Sequence, residues 1–330
     1  MTMRAGFLLP LALLIAVLLA LLVGVRMIPP AAAWAALTSF DPYDADHVAF
    51  LDLRLPRLWA GLIAGTALGL AGVILRALTR NPLAEPGALG INAGAALAVV
   101  TGALIAGRGD GGIVVALAFP GALASMIAVF FIGGMGRGGA GPMRLALAGA
   151  VLNALLLSLT TGIVLLRSEG VEVLRFWTVG SLTQAAGRPL AAMAGLVALS
   201  ALIALLIAPR LELLSLGDSM ARGLGARAGR VKAAGLILVA MLAASSVAVA
   251  GPIAFLGLIV PELARRIVGA GLRAQMLAAL LLGPAVLLLA DVAGRLILQP
   301  GEVRAGLMVG LVGGPVFIAL ARRVRPGALA

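Results

Sequence analysis

Residues 215–232 read Ser215-Leu-Gly-Asp-Ser-Met-Ala-Arg-Gly-Leu-Gly-Ala-Arg-Ala-Gly-Arg-Val-Lys232, a polar and basic island between two apolar runs, each long enough to cross a bilayer. A charged segment so placed must sit in water at a membrane face. The chain therefore leaves the membrane, surfaces briefly and re-enters it, which is the behaviour of an all-α polytopic membrane protein. The glycines at 223 and 225 suggest two short helices with a turn between them. Leu216, Met220 and Leu224, four apart, form an apolar ridge on the first helix. Two readings fit the island: an ordinary solvated loop, or a docking element for a cytoplasmic partner.

Composition agrees with the membrane assignment. Hydrophobic residues make up 62% and charged residues 12% of 330 residues, more apolar surface than a soluble core can hide. A net charge of +12 raises the question of nucleic acid. The basic residues, however, lie between apolar segments rather than along an aromatic-studded face, and membrane orientation accounts for them better. The absence of cysteine excludes disulfides and thiolate metal sites. His47 is the only histidine, which all but removes a histidine metal site, and it reads as a loop residue with no special role.

Apolar runs between polar breaks give ten candidate spans, at residues 7–25, 58–78, 93–106, 113–135, 143–166, 189–208, 233–250, 252–268, 276–296 and 305–321, in one transmembrane domain covering residues 1–330. The first is too long for a signal-peptide core and is read as a transmembrane helix. Several others are shorter than the ~20 residues of a perpendicular span, so tilted or buried helices are expected. With the N-terminus in the cytoplasm, the inner face receives Arg4, Arg76, Arg80, Arg137, Arg144, Arg210, Arg222, Arg227, Arg230, Lys232, Arg265, Arg266, Arg273, Arg322, Arg323 and Arg325. It receives only four acids, Glu85, Glu212, Asp218 and Glu262. The entire positive excess then lies on one side, as the positive-inside rule asks, and both termini and the island are cytoplasmic.

The connecting segments carry the other signals. The longest external one, residues 29–57, holds Trp34 and Tyr43, suited to an interface, and ends in Arg54-Leu-Pro-Arg57, where Pro56 is placed to open the second helix. The two arginines either anchor lipid headgroups or meet acids of an external partner with bidentate geometry. Gly61, Gly65 and Gly69, and likewise Gly306, Gly310 and Gly314, recur every four residues and imply close helix packing. In Arg80-Asn-Pro-Leu-Ala-Glu-Pro-Gly-Ala-Leu-Gly90, two prolines and two glycines force irregular backbone, tolerated near a membrane only beside protein or a water-filled cavity; this places Asn81, Pro82, Leu83 and Pro86 at a pathway or its gate. Gly180 and Ser181 hint at irregular structure near a cavity mouth. Asp291 and Arg295, four apart, either form an ion pair on one helix face or let Arg295 project beside Arg54 and Arg57. The only lysine, Lys232, follows no glycine-rich loop, so there is no Walker A sequence and no ATP hydrolysis by this chain alone. The scarcity of acids within spans argues against an ion-driven secondary carrier, the alternative from another class.

These motifs occur together and in order: Arg54-Leu-Pro-Arg57, Arg80-Asn-Pro-Leu-Ala-Glu-Pro86, Gly180-Ser-Leu182, Leu216-Gly217 with Leu224-Gly225, Val247-Ala-Val-Ala-Gly-Pro-Ile253, Phe255-Leu-Gly-Leu-Ile-Val-Pro261, Leu289-Ala-Asp291 with Arg295, and Gly314-Pro-Val-Phe317. The chain resembles the permease subunits of bacterial ABC importers for iron(III)-siderophores, haem and cobalamin, the FecCD or vitamin B12 permease type. The resemblance runs from about Arg54 to about Arg323.

It implies about ten transmembrane helices in the type II ABC importer permease fold, in the bacterial inner membrane. The implied partners are a second permease subunit, two ATP-binding cassette subunits that carry ATP and Mg, and a substrate-binding protein; this chain itself is implied to bind no cofactor, metal or nucleic acid. Residues 215–229 match the coupling helices that dock on the ATPase, with Leu216, Gly217, Asp218, Ala221, Arg222, Leu224 and Gly225 as contacts. Arg54, Arg57 and Arg295 match external arginines that receive glutamates of the binding protein, and Asn81-Pro-Leu83 matches a loop beside the pathway. The implied cargo is a metal chelate, with the Phe176-to-Leu182 stretch closer to ferric-siderophore members than to cobalamin ones and haem as the further alternative. Glu262 stands where such chains usually have histidine, and Arg304 where proline or glutamine is more usual.

Overall fold

The computed structural model describes residues 3–106, 117–133, 142–166, 179–215, 217, 223 and 228–322, and every regular element among them is helical. In order they are α1 (Met3–Leu22), α2 (Pro30–Thr38), α3 (Ala45–Val48), a π turn (Ala49–Arg54), α4 (Leu55–Thr79), a 3-10 turn (Pro86–Leu89), α5 (Ile91–Ala106), α6 (Ala118–Ile132) and α7 (Pro142–Leu166). After a second 3-10 turn (Ala185–Gly187) come α8 (Leu190–Ser215), α9 (Ala228–Ala250), α10 (Leu256–Val268), α11 (Leu272–Ile297) and α12 (Ala305–Ala321). Each of the ten apolar runs coincides with one of these helices. Five are long and apolar enough to cross a membrane outright, and α1, α5, α6 and α12 are shorter apolar helices.

The chain organises itself around α4, whose most apolar window is 83% buried, while the windows of α7 and α8 are only 28% and 22% buried and turn their leucines outward. The glycine strip explains why α4 is at the centre. A Cβ on Gly65 would lie 2.5 Å from the Pro284 backbone, one on Gly61 2.5 Å from the Leu288 side chain, and one on Gly72 1.9 Å from the Gly257 carbonyl. Bare backbone at these points lets α11 and α10 approach α4 closely, which in lipid must substitute for a hydrophobic driving force. The second strip behaves differently. Gly306 packs on Gly180, but a Cβ on Gly310 or Gly314 would meet nothing within 4 Å, and it is Gly313 that takes the close contact, against Phe255. Spacing identified the face, not whether a neighbour covers it.

Pro56 stands in the first turn of α4 as the sequence placed it, and the helical course also runs in from Ala45 through the π turn, with the Leu55 amide reaching back to the Phe50 carbonyl, a wider turn that accommodates a residue lacking an N–H. Two other expectations change. His47 is not a loop residue; it is buried in α3 and its Nδ1 accepts the Asp41 amide at 3.1 Å. The polar island is shorter than its charge pattern suggested, because α8 runs to Ser215 and α9 begins at Ala228.

Gly72→Ala should therefore lower the stability of the detergent-purified protein by about 1–3 kcal/mol, or prevent its assembly, since backbone rather than a flexible side chain is in the way. Gly310→Ala should leave the melting temperature unchanged or slightly raised. Thermal melts of the two proteins side by side check this.

Candidate functional site

At the end of the bundle where α4 starts and α11 finishes, the three arginines singled out from the sequence come together. Arg57 grips Asp291 with two parallel bonds, Nε to Oδ2 at 2.9 Å and Nη2 to Oδ1 at 2.7 Å, and reaches Glu302 with Nη1 at 2.8 Å. Arg295 donates to the same carboxylate, Nε to Oδ2 at 3.0 Å, and its Nη1 donates to the carbonyls of Ala20 at 2.9 Å and Val23 at 3.2 Å. Arg54 donates to the carbonyls of Leu21, at 2.6 Å, and Arg26. The carbonyls of Ala20 and Leu21 belong to the last turn of α1, whose orphan acceptors and negative dipole end call for cations there. The cluster thus joins α1, α4, α11 and the loop before α12. Asp291 is completely buried and the three arginines are under 10% exposed, so Arg295 takes the ion-pair alternative and none of the three guanidinium groups stands free in solvent.

The Arg80–Gly90 segment, predicted to need support from protein, receives it. Asn81 Oδ1 accepts the Leu83 amide at 2.9 Å, Arg76 Nη2 donates to the Pro82 carbonyl at 2.8 Å, and Ser125 Oγ donates to the Gly90 carbonyl at 2.8 Å. Pro86 packs on Gly257, where a Cβ would lie 2.8 Å from the proline ring. Glu85, which sequence reasoning missed, accepts the backbone N–H of Phe255, the residue preceding α10 with φ +66°. Burial pushes the Glu85 carboxyl above its ordinary value of 4.5, with the Phe255 amide opposing the shift. Arg76 also pairs with Glu262 at 3.2 Å, and Glu262 gathers Arg266 at 2.9 Å and Arg265 at 3.4 Å. An acid between two prolines, in a stretch unable to form regular structure, was the signal available for Glu85.

Gly180 and Ser181 lie at the same end as Arg57, since Leu182 packs against the face of Gly61. Their amides donate to the carbonyls of Pro252 at 2.9 Å and Ala250 at 2.8 Å, the Gly306 amide donates to Gly180 O at 2.9 Å, and Arg188 Nη1 donates to Val249 O at 2.7 Å. The broken backbone between α9 and α10 is therefore held from one side by residues 180–188 and from the other by Glu85. Burial lowers Arg188 to about 10, so it remains protonated at neutral pH. Of the proposed coupling residues only Gly217 can be placed: its amide donates to Leu214 O at 3.2 Å and its φ of +108° closes α8, a conformation open to glycine. Leu216, Asp218, Ala221, Arg222, Leu224 and Gly225 lie outside the described residues. Among the described residues no group of three or more His, Asp or Glu side chains gathers to hold a metal.

A profile of the FecCD transport family matches residues 12–323. The chain belongs to the FecCD transport family. It is 44% identical over 317 residues to the ferric enterobactin transport system permease protein FepD of Escherichia coli (strain K12), covering 96% of this chain and 94% of that one. The hemin transport system permease protein HmuU of Yersinia pestis is 38% identical over 290 residues, with 86% of this chain and 85% of that one aligned. Among solved structures, a metal-chelate type ABC transporter in an inward-facing conformation superposes with a TM-score of 0.80 at 26% identity, covering 97% of this chain and 99% of that one. This FecCD chain is accordingly an all-helical membrane permease subunit of the ABC importer type, not itself a catalyst.

Asp291→Ala leaves two buried guanidinium groups without their carboxylate and should destabilise the protein by roughly 3–5 kcal/mol, read as loss of folded material or a much lower melting temperature. For Glu85, a raised folded pKa means that its contribution to stability is complete below about pH 4.5 and is lost as pH rises through the raised value. Glu85→Gln keeps the acceptor for the Phe255 amide without the charge. Its melting temperature at pH 7 should equal or exceed the parent's, and its gain on acidification should be smaller.

Proposed function

We propose that this chain is the membrane conduit of a bacterial importer for an iron(III)-siderophore, moved by ATPase subunits that bind ATP and Mg on its behalf. The observation that carries the reading is the 44% identity along nearly the whole length of a permease named for ferric enterobactin. The missing Walker A sequence supports an external motor. A chelated metal arrives with its coordination filled, so the pathway needs no metal ligands of its own.

In this reading the complex contains a second permease subunit, identical or paralogous, two ATP-binding cassette subunits and a substrate-binding protein. It sits in the bacterial cytoplasmic membrane with both termini inside. The distribution of arginine supports that orientation and makes the Arg57 end external and the Arg76 end cytoplasmic. Residues 215–229 transmit closure of the ATPase pair. Arg54, Arg57 and Arg295 receive acidic side chains of the binding protein, and Asn81, Pro82, Leu83, Pro86, Gly180 and Ser181 line the pathway or its gates. The bonds from Glu85 and from residues 180–181 to the break between α9 and α10 support the last assignment, because movement of either segment must disturb that break. Haem is the second cargo reading, favoured by the likeness to HmuU.

Reconstituted with its ATPase, partner permease and binding protein, the chain should import a ferric catecholate siderophore only with ATP. A panel including haem and cobalamin ranks the cargo. Uptake by this chain alone on a proton or sodium gradient would instead establish a secondary carrier. Leu224→Asp should preserve assembly yet cut transport per ATP hydrolysed by tenfold or more, on the order of one contact's worth of coupling; transport at the parent ratio removes the coupling role.

A further inference from the structure

The arginine cluster contains its own stand-in for a partner's acid. The Nε and Nη2 of Arg57 are committed to Asp291, which is fully buried, and only Nη1 points elsewhere, to Glu302. The Glu302 side chain is 33% exposed, whereas those of Arg57, Asp291 and Arg295 are 9%, 0% and 3% exposed. Its backbone is pinned nearby, with the Val303 amide donating to Gly294 O at 2.9 Å, so the side chain alone can swing away. A carboxylate from outside that pairs with Arg57 Nη1 competes for it with Glu302.

We infer that Glu302 is an internal occupant of the docking site, exchanged for an acidic side chain of the substrate-binding protein when that protein binds. The inference rests on the docking role proposed above for Arg57. The exchange is physically economical. One carboxylate replaces another, so Arg57 is never left buried and unpaired, the arrangement that makes breaking such pairs costly. With three arginines against Asp291 and Glu302, the cluster keeps one positive charge while Glu302 is in place and two once it has swung out, so an incoming acid is attracted throughout. A site that is self-occupied part of the time binds its partner more weakly by the fraction unoccupied. Glu302 thus sets a ceiling on affinity, which suits a partner that must leave after each delivery.

The sign of one measurement decides the matter. With the whole transporter in lipid nanodiscs and its own substrate-binding protein, free of cargo, as probe, Glu302→Gln should tighten binding roughly threefold or more at low salt, and less at high salt. A residue that merely stabilised the site would weaken binding when altered. Arg57→Gln should weaken binding, and in the double variant Arg57→Gln with Glu302→Gln the gain should vanish. Binding weakened by Arg57→Gln but not tightened by Glu302→Gln overturns the exchange and leaves docking intact, whereas indifference to Arg57→Gln removes both. Should Glu302→Gln fail to assemble, Glu302→Cys serves, because the chain has no other cysteine. A sulfonate-bearing thiol reagent should then weaken binding relative to a neutral one of similar size, and equal affinities contradict the proposal.

Discussion

One buried carboxylate holds the end of this bundle where α4 starts and α11 finishes in register. Asp291, without solvent contact, lies between the guanidinium groups of Arg57 and Arg295, and through them gathers α4, α11, the end of α1 and the loop before α12. Charges taken out of water are tolerable only when each has a partner and its remaining donors are used. The arrangement meets that condition by turning the surplus donors of Arg295 and Arg54 onto the last carbonyls of α1, which would otherwise lie unsatisfied at a helix end. The residues that lock the fold are thus the same ones proposed above to dock the binding protein.

The interior is organised on a different principle. Glycines along α4 let α10 and α11 press backbone against backbone, and the break between α9 and α10 is stitched by main-chain bonds to residues 180 and 181 and by Glu85. At this break the carbonyls of Ala250 and Pro252 and the amides of Gly251 and Phe255 are answered by protein. The gating proposed above depends on Gly251–Phe255 being held by a handful of directional bonds rather than by a continuous helix ladder.

The helices were legible in the sequence because the bilayer imposes them: a long apolar run has no other way to satisfy its backbone. The Gly61, Gly65, Gly69 strip was legible for the same reason, and the Asp291–Arg295 pair followed from helical spacing. What the sequence hid were long-range partnerships. Nothing in Arg57 announces that it meets Asp291 and Glu302 across more than two hundred residues of chain, and nothing at Gly310 distinguishes an open face from a packed one. Glu85 was hidden by its setting, since an acid in a turn-rich segment normally points to water. Here its acceptor oxygen is taken by the Phe255 amide.

The family assignment, the two clusters and the glycine-packed core describe a body that can be moved but contains no motor. In the mechanism proposed above, its grip is residues 215–229. Labelling of a single cysteine introduced at Gly223 with a membrane-impermeant maleimide, on intact and on permeabilised cells, tests this most directly. Reaction only after permeabilisation, and protection by the bound ATPase, is the predicted result. Labelling of intact cells from outside would contradict the account.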